Sequence, residues 1–194
     1  GMSSDLLTRI KQSAVLCDGA MGTLLYSKGI FINRCYDELN LSQPDLIRGI
    51  HHDYLQSGAE IIETNTFGGN SFRLARHSMA SQAREINLAG ARLAREAAKS
   101  FNVWVAGSVG PLGVRIEPLG KTSFEEARTA FREQIAALVE GGVDLLMLET
   151  FGYLEELHQA ILAARDVNPK IPVVAHVTID EDGNCLDGST PETF

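Results

Sequence analysis

Five short apolar runs, rich in β-branched residues, recur along this chain of 194 residues. They read AVLCD at 14–18, EIIET at 60–64, VWVAGS at 103–108, DLLMLET at 144–150 and PVVAHVT at 172–178. Their apolar positions are continuous rather than alternating, which is typical of strands that are buried on both faces of a parallel sheet. The pattern therefore predicts five parallel strands.

Segments with helical periodicity follow these runs, and their ends carry capping signals. They lie at 41–59, 81–100, 122–142 and 153–169. In the first, Ser42 is the expected N-cap and Pro44 falls in the first turn, where a missing N–H is tolerated. In the third, Ser123 and Glu126 stand at capping-box spacing. Strands and helices thus alternate, which predicts an α/β fold with a parallel sheet and helices outside it.

Two closures of such a sheet fit the alternation: an open doubly wound sheet, or the first five β/α units of a (β/α)8 TIM barrel. The chain length favours the open sheet. The strand ends favour the barrel, because the predicted strands end in polar clusters: Asp18, the segment 63–66, Ser108, Glu149 with Thr150, and the segment 176–180. In a barrel, all of these ends face one shared mouth.

The composition excludes several classes of partner. A formal net charge of −8 without a basic cluster argues against nucleic acid and anionic membrane surfaces. No apolar run approaches the roughly 20 residues that span a bilayer, so a cytoplasmic location is the default expectation. Cys17, Cys35 and Cys185 are widely spaced and form no CxxC motif, so we interpret them as reduced thiols rather than as a zinc site.

Carboxylates at the ends of two predicted strands are the first candidates for chemistry. Asp18 and Glu149 each follow a buried run and must be solvated by a ligand, by water or by backbone donors. They could cap the turns that follow, bind an ammonium group, or act as acid and base. Gly19 and Gly22 would allow close approach of the backbone to a ligand. No Gly-rich phosphate-binding motif occurs in the chain.

The segment ETNTFGGN, at 63–70, is the densest polar cluster. It places Glu63, Thr64, Asn65, Thr66 and Asn70 around two glycines directly after a strand. Such a set of hydrogen-bonding groups suits a binding site, although Asx and Thr capping would account for part of it.

The histidines are weaker candidates than the carboxylates. His51 and His52 lie within a predicted helix, where packing or surface roles are expected. His176, on the fifth predicted strand, is the best candidate of the three for the barrel mouth, with a satisfied core position as the alternative. The segment AGSVGPLG, at 106–113, is interpreted as a Pro/Gly turn.

Several motifs in order resemble one family, the homocysteine S-methyltransferases. They are DGAMGT, ETNTFGGN, GSVGPLG, LLMLETF and DGNCLDGSTPE. The segment that starts at NRCYDELN is most similar to the homocysteine-binding domain of the cobalamin-dependent methionine synthases, or of the related fusions of that domain to a methylenetetrahydrofolate reductase. The resemblance implies a (β/α)8 barrel, of which residues 1–194 would form the N-terminal part, about five β/α units, with the remainder outside this chain.

The resemblance also assigns roles to the strand-end residues. It implies that Asp18 and Glu149 hold the amino group of L-homocysteine, and that the turn containing Gly19 and Ala20 receives its carboxylate. The other residues expected on the substrate side are Glu63, Asn65, Thr66 and Asn70.

The chemistry implied by the resemblance needs groups that this chain lacks. In the family, zinc activates the homocysteine thiolate, which accepts a methyl group to give methionine. The three zinc-binding cysteines of the family have no matching positions here, so we expect the zinc ligands outside the chain and expect the chain alone to be inactive. Cobalamin and methyltetrahydrofolate, the expected methyl-donor partners, would be bound by other domains. The sequence does not identify the donor.

Two alternatives to this interpretation remain at the level of sequence. The chain could be a complete five-stranded α/β module that binds an amino acid without catalysis. It could also be a truncated barrel that self-associates through its open fifth-strand edge.

Overall fold

The computed structural model describes residues 35–177 and the backbone of a short strand at 192–193. Two 3₁₀ turns, Tyr36–Glu38 and Ala80–Gln82, accompany the regular elements. The helices are α1 (Leu39–Ser42), α2 (Pro44–Gln56), α3 (Ser71–Ala75), α4 (Ala83–Ala98), α5 (Phe124–Glu140) and α6 (Leu154–Val167). The strands are β1 (Ile61–Glu63), β2 (Trp104–Val109), β3 (Leu145–Phe151), β4 (Val173–Val177) and β5 (Glu192–Thr193). The first predicted strand, at 14–18, lies outside the described residues.

The described strands form one sheet in the order β1-β2-β3-β4-β5. The first four pair in parallel, which confirms four of the predicted strands, while β5 pairs antiparallel with β4. This last strand was not predicted, and it pairs with Val174 and Ala175 at the edge where self-association was expected. Each parallel strand lies beside its successor, as in a barrel wall, whereas a doubly wound sheet reverses its order at a switch point.

The two faces of the sheet are buried in different ways. One face packs against the helices in a large core, which includes Ile62, Val105 and Leu146 from the strands and Ala94 and Ile135 from α4 and α5. The opposite face carries a separate cluster contributed by strand residues alone: Ile61, Trp104, Ala106, Leu145, Met147 and Val174. We call this second face the interior face, because none of the described helices contributes to its cluster.

The helix ends test the predicted capping signals. The Ser123 side chain accepts a hydrogen bond from the Glu126 amide, and the Glu126 carboxylate accepts one from the Ser123 amide, so the predicted capping box is confirmed. The prediction for Ser42 is wrong: Ser42 is the last residue of α1, and its hydroxyl donates to the Glu38 carboxylate. The N-cap of α2 is Gln43, whose side chain makes no capping bond.

Across the described residues, no helix has the length and apolar character needed to cross a membrane.

Candidate functional site

On the interior face, the apolar side chains of the strands are followed by polar side chains at the carboxyl ends of the strands. Side chains alternate along a strand, so Glu63 continues the row begun by Ile61, and Ser108 continues the row of Ala106. By the same alternation, Glu149 follows Met147 on this face, and His176 follows Val174. Four neighbouring strands thus each contribute one polar residue to the same end of the interior face.

Ser108 and Glu149 are joined by a buried hydrogen bond. The Ser108 hydroxyl donates to Oε2 of Glu149 at 3.0 Å, and the two residues are 3% and 6% exposed. Hydrogen bonds to a carboxylate are stronger than those between neutral groups, and they are less screened where water is excluded. Within the described residues, no hydrogen bond to the other carboxylate oxygen of Glu149 is found.

A ring of three hydrogen bonds fixes the backbone of Ser108. The Ser108 amide donates to the Thr64 hydroxyl at 3.0 Å, and the Thr66 hydroxyl donates to the Ser108 carbonyl at 2.7 Å. The two threonine hydroxyls lie 2.6 Å apart. Because the Thr66 proton is used on the carbonyl, the Thr64 hydroxyl must donate to Thr66, which closes the ring. Two threonines of the loop after β1 therefore hold the end of β2 in place.

The backbone geometry of β3 changes directly after Glu149. Thr150 has a φ of 56°, a left-handed conformation that is unfavourable for a β-branched residue. The β3–β4 register shifts between Leu148 and Phe151, and Phe151 packs in the helix-facing core. Regular alternation already places Glu149 on the interior face, and the irregularity after it turns Phe151 to the helix-facing side.

Buried amides anchor the loop ETNTFGGN from its other side. The Asn65 side chain donates to the Tyr36 carbonyl at 2.8 Å and to the Asn40 side chain at 3.3 Å. Asn40 in turn donates to the carbonyls of Asn65, at 2.8 Å, and Ile86, at 3.2 Å. The Asn65 amide group is thus engaged in fixing the loop against α1 and α4.

Two further buried amides come from the helices behind the loop. Gln134 donates to the Thr66 carbonyl at 2.7 Å and to the Asn87 side chain at 3.1 Å. Asn87 donates to the carbonyls of Gly69, at 2.8 Å, and Ala83, at 2.7 Å. The bonds to the Thr66 and Gly69 carbonyls satisfy loop groups that have no strand partner, so the irregular loop can remain buried.

Asn70, the last polar residue of the loop, caps a helix. Its side-chain oxygen accepts the Arg73 amide at 3.0 Å at the start of α3, and its amide group donates to the Pro111 carbonyl at 3.3 Å. The sequence-based alternative of Asx capping describes this contact. A role for Asn70 toward substrate remains a prediction.

Buried titratable groups with shifted pKa values also lie elsewhere in the described part of the chain. Burial raises the pKa of Asp37 to about 6, although its carboxylate accepts the Gly68 amide at 3.0 Å. Burial also raises the pKa of Glu156 to about 7, opposed by the Leu112 amide and the charge of Arg73. Burial lowers the pKa of His51 to about 4, and neither ring nitrogen has a hydrogen-bond partner among the described residues. The predicted packing role of His51 agrees with this fully buried position.

The described residues do not fit a zinc ion. Between residues 35 and 177, no group of three His, Cys, Asp or Glu side chains comes close enough to hold a metal. Cys35 is buried, and burial and the nearby Asp37 charge raise the pKa of its thiol, which is the reverse of what a zinc thiolate requires. Cys17 and Cys185 lie outside the described residues.

Some of the residues predicted from the sequence are brought together, and others are not described. Glu63 and Glu149 lie on the interior face, and Asn65, Thr66 and Asn70 lie in the adjoining loop. Asp18, Gly19 and Ala20 lie outside the described residues, so their predicted roles are untested.

Sequence reasoning missed Ser108 as a partner of Glu149. It also missed the anchoring amides Asn40, Asn87 and Gln134. A signal for Gln134 was present, because it lies one helical turn from both Phe131 and Leu138 on the buried side of α5.

A family model described as homocysteine S-methyltransferase matches residues 15–194. Methionine synthase from Mycobacterium tuberculosis is 34% identical over 201 residues, which cover 96% of this chain and 17% of that protein. Methionine synthase from Mycobacterium leprae is 33% identical with the same coverage. The chain therefore spans about one sixth of the length of these curated relatives.

Solved structures show the same relationship. The homocysteine methyltransferase MmuM from Escherichia coli, in its metallated form, superposes with a TM-score of 0.73 at 27% identity, over 90% of this chain and 66% of that one. The apo form of the same enzyme gives a TM-score of 0.64 at 26% identity, over 89% of this chain and 62% of that one. The parallel sheet described above is thus shared with a homocysteine methyltransferase.

Proposed function

Because the chain belongs to the homocysteine S-methyltransferase family, we propose that it forms the amino-acid-binding part of an enzyme that methylates L-homocysteine to methionine. The observation that carries the proposal is the placement of Glu149. Its carboxylate is buried on the interior face, at the carboxyl end of β3, with one oxygen bound by Ser108. A buried carboxylate that forms no ion pair within residues 35–177 suits an ammonium ligand.

The proposal assigns the two ends of homocysteine to different elements. Glu149 and Asp18 bind the ammonium group, and the backbone at Gly19 and Ala20 binds the carboxylate. Glu63 lies on the same face as Glu149 and borders the same mouth, while Asn65, Thr66 and Asn70 shape the loop beside it. In methyl transfer, the homocysteine sulfur bonds to the methyl carbon as the bond to the donor breaks, and the thiol proton is lost.

The metal and the methyl donor are assigned to residues outside this chain. The described residues do not fit zinc, so the roles assigned to this chain are limited to binding and orienting the amino acid. We infer that residues 1–194 form about the first five β/α units of a (β/α)8 barrel, and that cobalamin or methyltetrahydrofolate is presented by another domain. The chain covers 17% of the length of the methionine synthase relatives, which supports the assignment of further domains.

Calorimetric titration of the complete gene product with L-homocysteine tests the proposal. We expect Glu149→Gln to weaken binding at least tenfold, because the substitution removes the charge that pairs with the ammonium group. Glu155→Gln is the matched control, since Glu155 is exposed in the first turn of α6 and should leave the affinity unchanged. Equal affinities for Glu149→Gln and the unmodified protein would contradict the proposal. Binding without methyl transfer by the complete gene product would favour the amino-acid-binding module.

A further inference from the structure

Ser108 has a buried position and a set of hydrogen bonds that backbone packing alone does not require. An apolar or small side chain at this position would continue the row of Ala106 on the interior face. The hydroxyl instead reaches across the sheet to the neighbouring strand and donates to Glu149 Oε2 at 3.0 Å. Such a bond restrains the rotation of the carboxylate.

The backbone of the donor residue is held in place. The Ser108 amide and carbonyl are both bound within the ring formed with Thr64 and Thr66. Every proton of that ring has an assigned acceptor, so neither threonine hydroxyl competes for the carboxylate. The hydroxyl of Ser108 remains the one group of this cluster that points to Glu149.

We propose that Ser108 is a positioning residue, which orients the Glu149 carboxylate toward the ammonium group of the substrate, and that Thr64 and Thr66 fix Ser108 for this task. The inference rests on the proposed function of Glu149. It adds Ser108 and Thr64 to the site and gives Thr66 a defined role, and none of the three needs to touch the substrate. A preoriented carboxylate loses less rotational freedom when the ammonium group binds, which increases affinity.

A comparison of two ligands distinguishes a role of Ser108 in positioning Glu149 from a general effect of the substitution on the binding site. L-homocysteine carries the ammonium group, and 4-mercaptobutanoate has the same thiol and carboxylate without it. In calorimetric titrations of the complete gene product, Ser108→Ala should weaken homocysteine binding about tenfold, the typical effect of one hydrogen bond to a charged group. Binding of 4-mercaptobutanoate should change by less than about twofold, which also shows that the variant is folded.

A double-mutant cycle with Glu149→Gln tests the same coupling without the analogue. If Ser108 acts through Glu149, Ser108→Ala should have little further effect once Glu149 is replaced. Thr64→Val should give a smaller loss with the same selectivity for homocysteine, because it opens the ring but keeps the Ser108 hydroxyl. If 4-mercaptobutanoate binds too weakly to titrate, the double-mutant cycle alone tests the positioning role of Ser108.

The outcomes distinguish this inference from the proposed function. If Glu149→Gln weakens homocysteine binding and Ser108→Ala does not, the positioning role is overturned and the proposed function stands. Equal losses for both ligands, or additive losses in the cycle, would also overturn the positioning role. If Glu149→Gln itself has no effect, the proposed function fails, and the inference fails with it.

Discussion

Replacing Gly90 with alanine should destabilise the protein, although alanine is the better helix former. Gly90 lies within α4, where the helix approaches the loop after β1. A Cβ atom added there would lie 2.6 Å from Cγ2 of Thr66 and 2.7 Å from Nδ2 of Asn40. Neither neighbour can move freely, because Thr66 belongs to the hydrogen-bonded ring and Asn40 donates to two backbone carbonyls.

The expected change in the free energy of unfolding is the difference between two opposing effects. Replacing glycine by alanine within a helix gains about 0.5–1 kcal/mol, and overpacking a buried site costs about 1–3 kcal/mol. We therefore expect Gly90→Ala to lower the free energy of unfolding by roughly 1–2 kcal/mol. Gly49 in α2 is the matched control, since it is exposed and no atom lies within 4 Å of its added Cβ. Gly49→Ala should raise the free energy of unfolding by about 0.5–1 kcal/mol.

Urea unfolding of both variants provides the comparison. Trp104 is the single tryptophan of the chain and lies in β2, so its fluorescence reports on the parallel sheet. The reasoning is refuted if both substitutions stabilise the protein to a similar extent. Such a result would mean that helix propensity determines the effect of Gly90→Ala on the free energy of unfolding, and that the loop after β1 is not packed tightly against α4.

Three further predictions concern buried polar groups. Gln134→Leu should lower the free energy of unfolding by about 1–3 kcal/mol, because it removes the donor to the Asn87 side-chain oxygen and leaves the Thr66 carbonyl with the Gly69 amide alone. Urea unfolding measures the loss, and no change would contradict the network. The raised pKa of Glu156 means that the folded state holds a proton that the unfolded state releases between about pH 4.5 and 7, so stability should fall as pH rises through this window. Glu156→Gln should reduce that fall in pH-dependent melting curves, while the raised pKa of Asp37 leaves a smaller fall of the same sign at lower pH, and an unchanged profile would refute the assignment. The lowered pKa of His51 has the opposite sign: stability should fall as pH drops from about 6.5 to 4, and His51→Leu should reduce this acid sensitivity in the same measurement.

The sequence predicted the strands well because their signal is local. Continuous apolar runs at 60–64, 103–108, 144–150 and 172–178 each contain or overlap a described strand. The capping box at Ser123 was predictable for the same reason, since both of its bonds join residues three apart in sequence. The alternative role of Asn70 as a helix cap was also predictable, because the amide that it caps belongs to Arg73, three residues later.

The polar contacts of the site could not be predicted in this way. Ser108 and Glu149 are 41 residues apart, and Thr66 and Gln134 are 68 residues apart. Their pairing depends on strand register and on the distance between α5 and the loop, neither of which is visible in a hydrophobic pattern. The antiparallel strand β5 was missed because a two-residue strand carries too little pattern to detect.

The crystal structure of the complete gene product with bound L-homocysteine would test the central claim most directly. We predict that the ammonium group lies within hydrogen-bond distance of a Glu149 carboxylate oxygen, while the Ser108 hydroxyl remains bound to Oε2. Homocysteine bound at the interior face without contact to Glu149, or bound at another place, would contradict the account.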